Sequence, residues 1–292
     1  MLLATDSERV RVLLASLPSS RPRRVLRSIR ELPDALEDAN VRSVLCEPNG
    51  VSEAFLMAMI GRAESQGRQF FFTSVPTTRA TELVLRLADR GLAGALLCDC
   101  ESDRRFIMRQ LTAETVECTL ALRLLGELRL PLLTLPLPLR EAVVRVAASR
   151  CFAGSSVGQL AQQVGGSPRS IARWLAAAGL AQPRTMLAAF RLAHLWPDWS
   201  SPTLTLPVLA EVGGFRSART LRAQSHKILG WSPSLIRRSR TEEDVLSGLT
   251  RALTRPTGRD TRGTVCEDIS MAASVEPRCI PSIARSEYSH SG

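Results

Sequence analysis

Two arginine-bearing phrases hold most of the usable chemistry in this chain. The first reads Gly165-Gly166-Ser167-Pro168-Arg169-Ser170-Ile171-Ala172-Arg173-Trp174-Leu175. The second reads Gly213-Gly214-Phe215-Arg216-Ser217-Ala218-Arg219-Thr220-Leu221-Arg222. A guanidinium is a permanent cation with a planar fork of donors, which matches guanine O6 and N7 or the oxygens of a phosphate. Arg169, Arg173, Arg219 and Arg222 are the candidates for base edges, with the hydroxyls of Ser170 and Thr220 beside them. Arg184, Arg216, Lys227 and Arg237 suit phosphate oxygens.

Other chemistries find no constellation. There is no Gly-rich phosphate loop, zinc-ligand spacing or Ser/His/Asp set. The seven cysteines are irregularly spaced, and Cys98-Asp99-Cys100 is not a C-x-x-C pair. His194, His226 and His290 do not cluster with them. Reduced thiols are expected, with no catalytic residue, no metal and no cofactor. Glu47, Asp99, Glu101 and Asp103 are the acids that strand ends could gather, as an enzyme would require.

The elements that must position the arginines follow from local pattern. Val157, Leu160, Ala161 and Val164 recur at one-sided helical spacing, and Ser155 or Ser156 can cap that helix. Gly165 and Gly166 permit a tight turn. Ser167 as N-cap and Pro168 at the first position then start a second helix. Ile171, Trp174, Leu175 and Ala178 face inward there, which leaves Arg169, Ser170 and Arg173 outside, and Gly179 ends it. A helix over 182–196 carries Met186, Leu187, Phe190, Leu192 and Leu195 inward and runs into a loop. The phrase then returns, with Val208, Leu209 and Val212 inward, a Gly213-Gly214 turn, and a helix from Arg216 to Leu229 on Leu221, Ile228 and Leu229. A short helix after Gly230 closes the module.

Charge singles out the same segment. The chain has a net charge of +10, yet residues 1–150 balance at +3 and residues 241–292 at −2. Residues 151–240 hold eleven basic residues against only Asp198 and Glu211. A compact basic segment is the electrostatic footprint of a nucleic-acid binder.

Upstream, strand and helix patterns alternate. Strands are expected at 41–46, 69–74 and 94–98, and helices at 52–64, 77–90, 102–111 and 120–128. That order implies a parallel sheet with helical crossovers. Residues 1–40 read as a helical lead-in, and the proline-rich run 130–139 as a boundary before a helix over 140–152. The tail beyond 240 reads as a short helix followed by disorder.

Two resemblances follow. The 41–129 module weakly resembles the later half of a response-regulator receiver. In a receiver the first of these strands ends in a phosphate-accepting Asp, the next in Thr or Ser, and the last in Lys. Here Cys46 or Glu47 falls at the first place, Thr73 or Ser74 at the second, and Cys98 or Asp99 at the third, so phosphorylation is not implied. The 151–240 segment resembles the C-terminal domain of AraC/XylS-family transcription regulators. The matching residues are Leu160-Ala161, Ser167-Pro168, Gly179, Arg191-Leu192, Leu209-Ala210, Gly214-Phe215, Gly230 and Pro233. The resemblance implies seven helices, with a central helix joining two helix-turn-helix units that read successive major grooves. Ser225 departs from it, standing where the family has a buried Phe, and Leu221 replaces another aromatic. Both departures imply a softer second unit.

The expected architecture is therefore an α/β N-terminal domain with a short parallel, receiver-like sheet, plus an all-α double helix-turn-helix domain. Its parts are the lead-in 1–40, the α/β module 41–129, a linker and connecting helix 130–150, the helix-turn-helix domain 151–240 and a disordered tail 241–292. The expected function is sequence-specific DNA-binding transcription regulation in the cytoplasm, without catalysis. The partners are double-stranded DNA and a second copy of the chain or RNA polymerase, with no membrane. The alternatives are a protein-interaction adaptor with a degenerate helix-turn-helix, or a DNA-associated enzyme.

Overall fold

The computed structural model describes residues 2–4, 24–26, 28–74, 77–97, 119–149, 153, 155–199 and 204–254. The helix expected at 102–111 and the tail beyond Thr254 lie outside them. Residues within Met1–Thr257 form one compact unit.

Five parallel strands make the sheet: β1 (Leu2–Ala4), β2 (Arg24–Leu26), β3 (Ser43–Cys46), β4 (Gln69–Thr73) and β5 (Leu92–Leu96). Their order is β2-β1-β3-β4-β5, a doubly wound arrangement. Phe70, Phe71 and Phe72 are all buried, as expected of a strand covered on both faces. A short 3-10 turn (Ile29–Glu31) and α1 (Leu32–Ala35) precede β3. The crossover helices are α2 (Glu53–Ser65) and α3 (Thr78–Leu87), capped by the side chains of Ser52 and Thr77. After β5 the described chain resumes at Thr119, whose N–H donates to Ala93 O at 3.2 Å and whose hydroxyl caps α4 (Leu120–Glu127).

The remainder is helical: α5 (Arg129–Leu133), α6 (Leu137–Ala148), α7 (Val157–Gln163), α8 (Pro168–Ala177) and α9 (Pro183–His194). Then come α10 (Trp196–Trp199), α11 (Leu206–Val212), α12 (Ala218–Leu229), α13 (Pro233–Ser239) and α14 (Glu242–Thr254). Among the described residues no helix is long and apolar enough to cross a membrane.

Three expectations are corrected. The lead-in is not wholly helical, because Leu2–Ala4 and Arg24–Leu26 pair as strands on β3's side of the sheet. The proline-rich stretch is not an open linker. Pro138 sits in the first turn of α6 and Pro131 in the first turn of α5, where the missing N–H has no intrahelical partner to lose. Leu132, Leu135 and Leu139 of that stretch are buried, as are Val143 and Val146 further along α6. The bound of 241 given to a disordered tail is too early, because the short helix expected after residue 240 is present as α14, with Val245, Leu246, Leu249 and Leu253 buried.

These corrections share one physical outcome. α4 packs against β5, α3 and α6 on one side and against α9 and α14 on the other. The buried side chains form a single continuous cluster from Leu26 to Leu253. The α/β half and the helical half therefore share a core.

Candidate nucleic-acid interface

The two helix-turn-helix units repeat the same hydrogen bonds. In the first, Val164 N–H donates to Leu160 O (3.2 Å) and Gly166 N–H to Ala161 O (2.9 Å). In the second, Gly213 N–H donates to Leu209 O (2.9 Å) and Phe215 N–H to Ala210 O (2.8 Å). The left-handed residue between them is Gly165 (φ 64°) in one and Gly214 (φ 67°) in the other. The two Gly-Gly pairs are thus out of register by one. Gly213 corresponds to Val164, and Gly166 corresponds to Phe215. The second turn also contains one extra residue, Arg216, before its N-cap.

Each second helix opens with the same cap. Ser167 Oγ accepts from Ser170 N–H at 3.1 Å, and Ser217 Oγ accepts from Thr220 N–H at 3.2 Å. The hydroxyls of the paired residues also meet, Ser167 with Ser170 at 2.9 Å and Ser217 with Thr220 at 3.1 Å. Ser170 and Thr220, expected as polar readers, therefore also take part in the caps. From these caps, Arg169 and Arg219 hold equivalent places in the first turn. Ile171 and Leu175 turn inward on α8, and Leu221, Ser225, Ile228 and Leu229 on α12. Arg169 and Arg173 then share one outward stripe of α8, at i and i+4. Arg219, Arg222 and Arg216 are all exposed on α12 or just before it.

Two grooves gather five of the ten expected residues, Arg169, Ser170, Arg173, Arg184 and Thr220. One, of about 500 Å³, is lined by Ser167, Arg169, Ser170, Arg173 and Gln182. The other, of about 510 Å³, lies between the units. It joins Ser155, Ser156 and Pro168 of the first to Arg184 and Arg191 of α9 and to Phe215, Thr220 and Gln224 of the second. Arg184 thus stands between the two arginine-bearing helices. The other five lie elsewhere: Arg216, Arg219 and Arg222 are exposed but line neither groove, and Lys227 and Arg237 are set apart from both. Lys227 lines a separate cleft against α14. Arg237 donates to Leu204 O and fastens α13 to the start of α11.

Arg191 is the residue the sequence reading left without a role. Its guanidinium donates to Ala153 O (2.6 Å) and Ser155 O (2.8 Å) and lies 5.8 Å from the centroid of the Phe215 ring. Burial pulls it below the usual arginine range. It links the entry to the first unit with the turn of the second. The signal available was the spacing of Arg184, Leu187, Ala188 and Arg191, which places all four on one face of α9.

Ser225 is completely buried, and its hydroxyl donates to Leu221 O at 2.9 Å, one turn back in its own helix. The polar atom is therefore satisfied. α14 and α9 both pack against this helix.

At the other end of the chain, Glu47 and Ser74 follow β3 and β4. Asn49 Nδ2 donates to Glu47 Oε1 (2.7 Å) and lies 3.4 Å from Ser74 Oγ. Cys46 is buried, and desolvation pushes its thiol up to about 12, so it stays protonated. Cys98, Asp99, Glu101 and Asp103 lie outside the described residues. Among the described residues no group of three or more His, Cys, Asp or Glu could hold a metal ion. No protein-family model, curated protein or solved structure matches this chain.

Proposed function

We propose that this chain is a sequence-specific DNA-binding transcription regulator of the AraC/XylS type. α8 and α12 are its recognition helices, and α9 is the connecting helix. The carrying observation is the paired start of α8 and α12. Two identical Ser caps hold Arg169 and Arg219 at equivalent places, in the one segment of the chain nearly without acids. Arg169, Arg173, Arg219 and Arg222 read base edges, because a bidentate guanidinium distinguishes guanine in the major groove. Arg184 and Arg216 hold backbone phosphates between and beside the two helices. The regulator carries out no reaction of its own.

The α/β half supplies contacts to protein, either a second copy or RNA polymerase. Leu130, Leu133 and Leu137 stand exposed on α5 and the start of α6, which supports such a contact. A degenerate receiver is the reading of its fold that best accommodates the β2-β1-β3-β4-β5 order and the lack of an Asp at Glu47's place. The second functional reading is the adaptor. It is favoured by the outward face of α11, where Val208 (39% exposed) and Val212 (44%), expected inward, instead flank Glu211, because Leu209 and Ala210 alone fill the buried face. The equivalent face of α7 carries Gln159, Gln162 and Gln163.

Selection from a random-sequence duplex pool at moderate salt tests the proposal. One recurrent bipartite site, its halves about one helical turn (~34 Å) apart, is the expected result. Salt-sensitive binding with no preferred site, or no binding, would overturn it.

A further inference from the structure

Lys227 does not join the grooves described above. It lines a cleft of about 350 Å³ between the C-terminal half of α12 and α14, with His226 beside it and Arg251 opposite. Thr185 of α9 and the small residues Gly230, Gly248 and Ala252 complete much of its wall. No acidic side chain lines it, among the described residues. His226 lies seven residues beyond Arg219, on the same stripe of α12.

The charged side chains of α14 are segregated along its length. Its three acids, Glu242, Glu243 and Asp244, all stand in the first turn. Arg123 of α4 pairs with Glu242 at 2.7 Å and with Glu243. Asp244 accepts from the Thr241 N–H at 3.0 Å. The acids of α14 thus stand at the end remote from the cleft, two of them paired with one guanidinium. Gly248, Arg251 and Ala252, at i, i+3 and i+4, face α12. A Cβ on Gly248 would come within 3.0 Å of Leu229 Cδ2, so the two helices meet closely at that point.

We propose that this cleft holds a backbone phosphate of the bound duplex, with Arg251, Lys227 and His226 as its donors. α14, outside the segment that resembles the family domain, is then part of the DNA-binding surface. The inference rests on the DNA-binding reading. The shared chemistry is a phosphate group, and a free phosphorylated ligand is the other source of it.

The test uses the full chain and the duplex recovered by selection, followed by anisotropy across a salt series. Arg251 is exposed, so Arg251→Gln keeps the helix and removes the charge. The expected result is a slope of log affinity on log salt that is shallower by ~0.9, with site preference unchanged. Lys227→Gln reads the same cleft from α12 and should act alike. A slope equal to wild type in both variants overturns the cleft and leaves the DNA-binding reading standing. Failure of the wild-type chain to bind any duplex overturns that reading, and this one with it. Calorimetry with inorganic pyrophosphate separates the sources. Saturable binding that Arg251→Gln abolishes, with the DNA slope unmoved, assigns the cleft to a free anion and overturns the backbone contact.

Discussion

Eight residues past its N-cap, α8 places Leu175 in the core, whereas α12 places Ser225 there. The first unit is self-sufficient at this point. It also has a full capping box on α7, where Ser156 and Gln159 each bond the other's backbone N–H. The second unit has neither device, since Thr205 makes no side-chain cap bond to α11. It is held from outside instead. Phe215 fills the place of Gly166, Leu195 of α9's C-cap closes on Gly213, and α14 lies along α12. The same hydrogen-bonded motif can thus be completed by its own side chains or by neighbours distant in sequence. That choice decides which unit depends on the rest of the protein.

Removing the neighbour is the strongest way to break this contrast. Truncation after Arg240 exposes the partners of Val245, Leu246, Leu249 and Leu253, each worth roughly 1.5–3 kcal/mol when buried. The expected outcome in urea denaturation is loss of the second unit's cooperative folding, with the tertiary signal of Trp174 retained in the first. Coincident melting of both units would break the contrast.

Core substitutions come next. Leu175→Ala should cost about 2–5 kcal/mol. Ser225→Leu should cost about 1–3 kcal/mol, because the space beside α12 is already filled. A gain in stability from Ser225→Leu would show an unfilled core in the second unit.

The glycines give the smallest and sharpest pair. A Cβ on Gly213 falls 2.6 Å from Leu195 Cδ1, in a buried position, so Gly213→Ala should cost about 1–3 kcal/mol. A Cβ on Gly166 meets Trp174 at 3.5 Å and Val164 at 3.6 Å, both ordinary contacts, so Gly166→Ala should stay within about 1 kcal/mol of wild type. Equal thermal shifts for the two would mean that the Gly-Gly pairs are equivalent after all.

What could be read in advance was local. Ser167 and Pro168 at the head of α8, Gly179 in the left-handed conformation after it, and the inward set Ile171 and Leu175 all depend on neighbours within a turn or two. The Gly-Gly register was hidden, because sequence does not say whether Gly213 ends a helix or turns the chain. Only its helical φ against the positive φ of Gly214 separates the roles. β1 and β2 were missed because three residues are too few to show an alternating pattern. The grooves were partly foreseen. Arg169 and Arg173 share one, but the alliance of Lys227 with Arg251 depends on a helix whose packing partners lie far upstream. The tie of Arg237 to Leu204 leaves no trace in spacing.

The pairing of Arg123 with Glu242 spans 119 residues of chain. Contacts of such separation must close a long loop before they return any stabilisation, so they form late. In a chain made from its N-terminus, the sheet, α4 and α9 exist before α14 has been synthesised. The apolar surface that α14 covers is then uncovered for that interval, and the nascent protein carries a sticky groove between its two halves. Final docking of α14 would also fix the relation of the α/β half to the arginine-bearing helices. The last helix added would set the moment at which the two halves become one body.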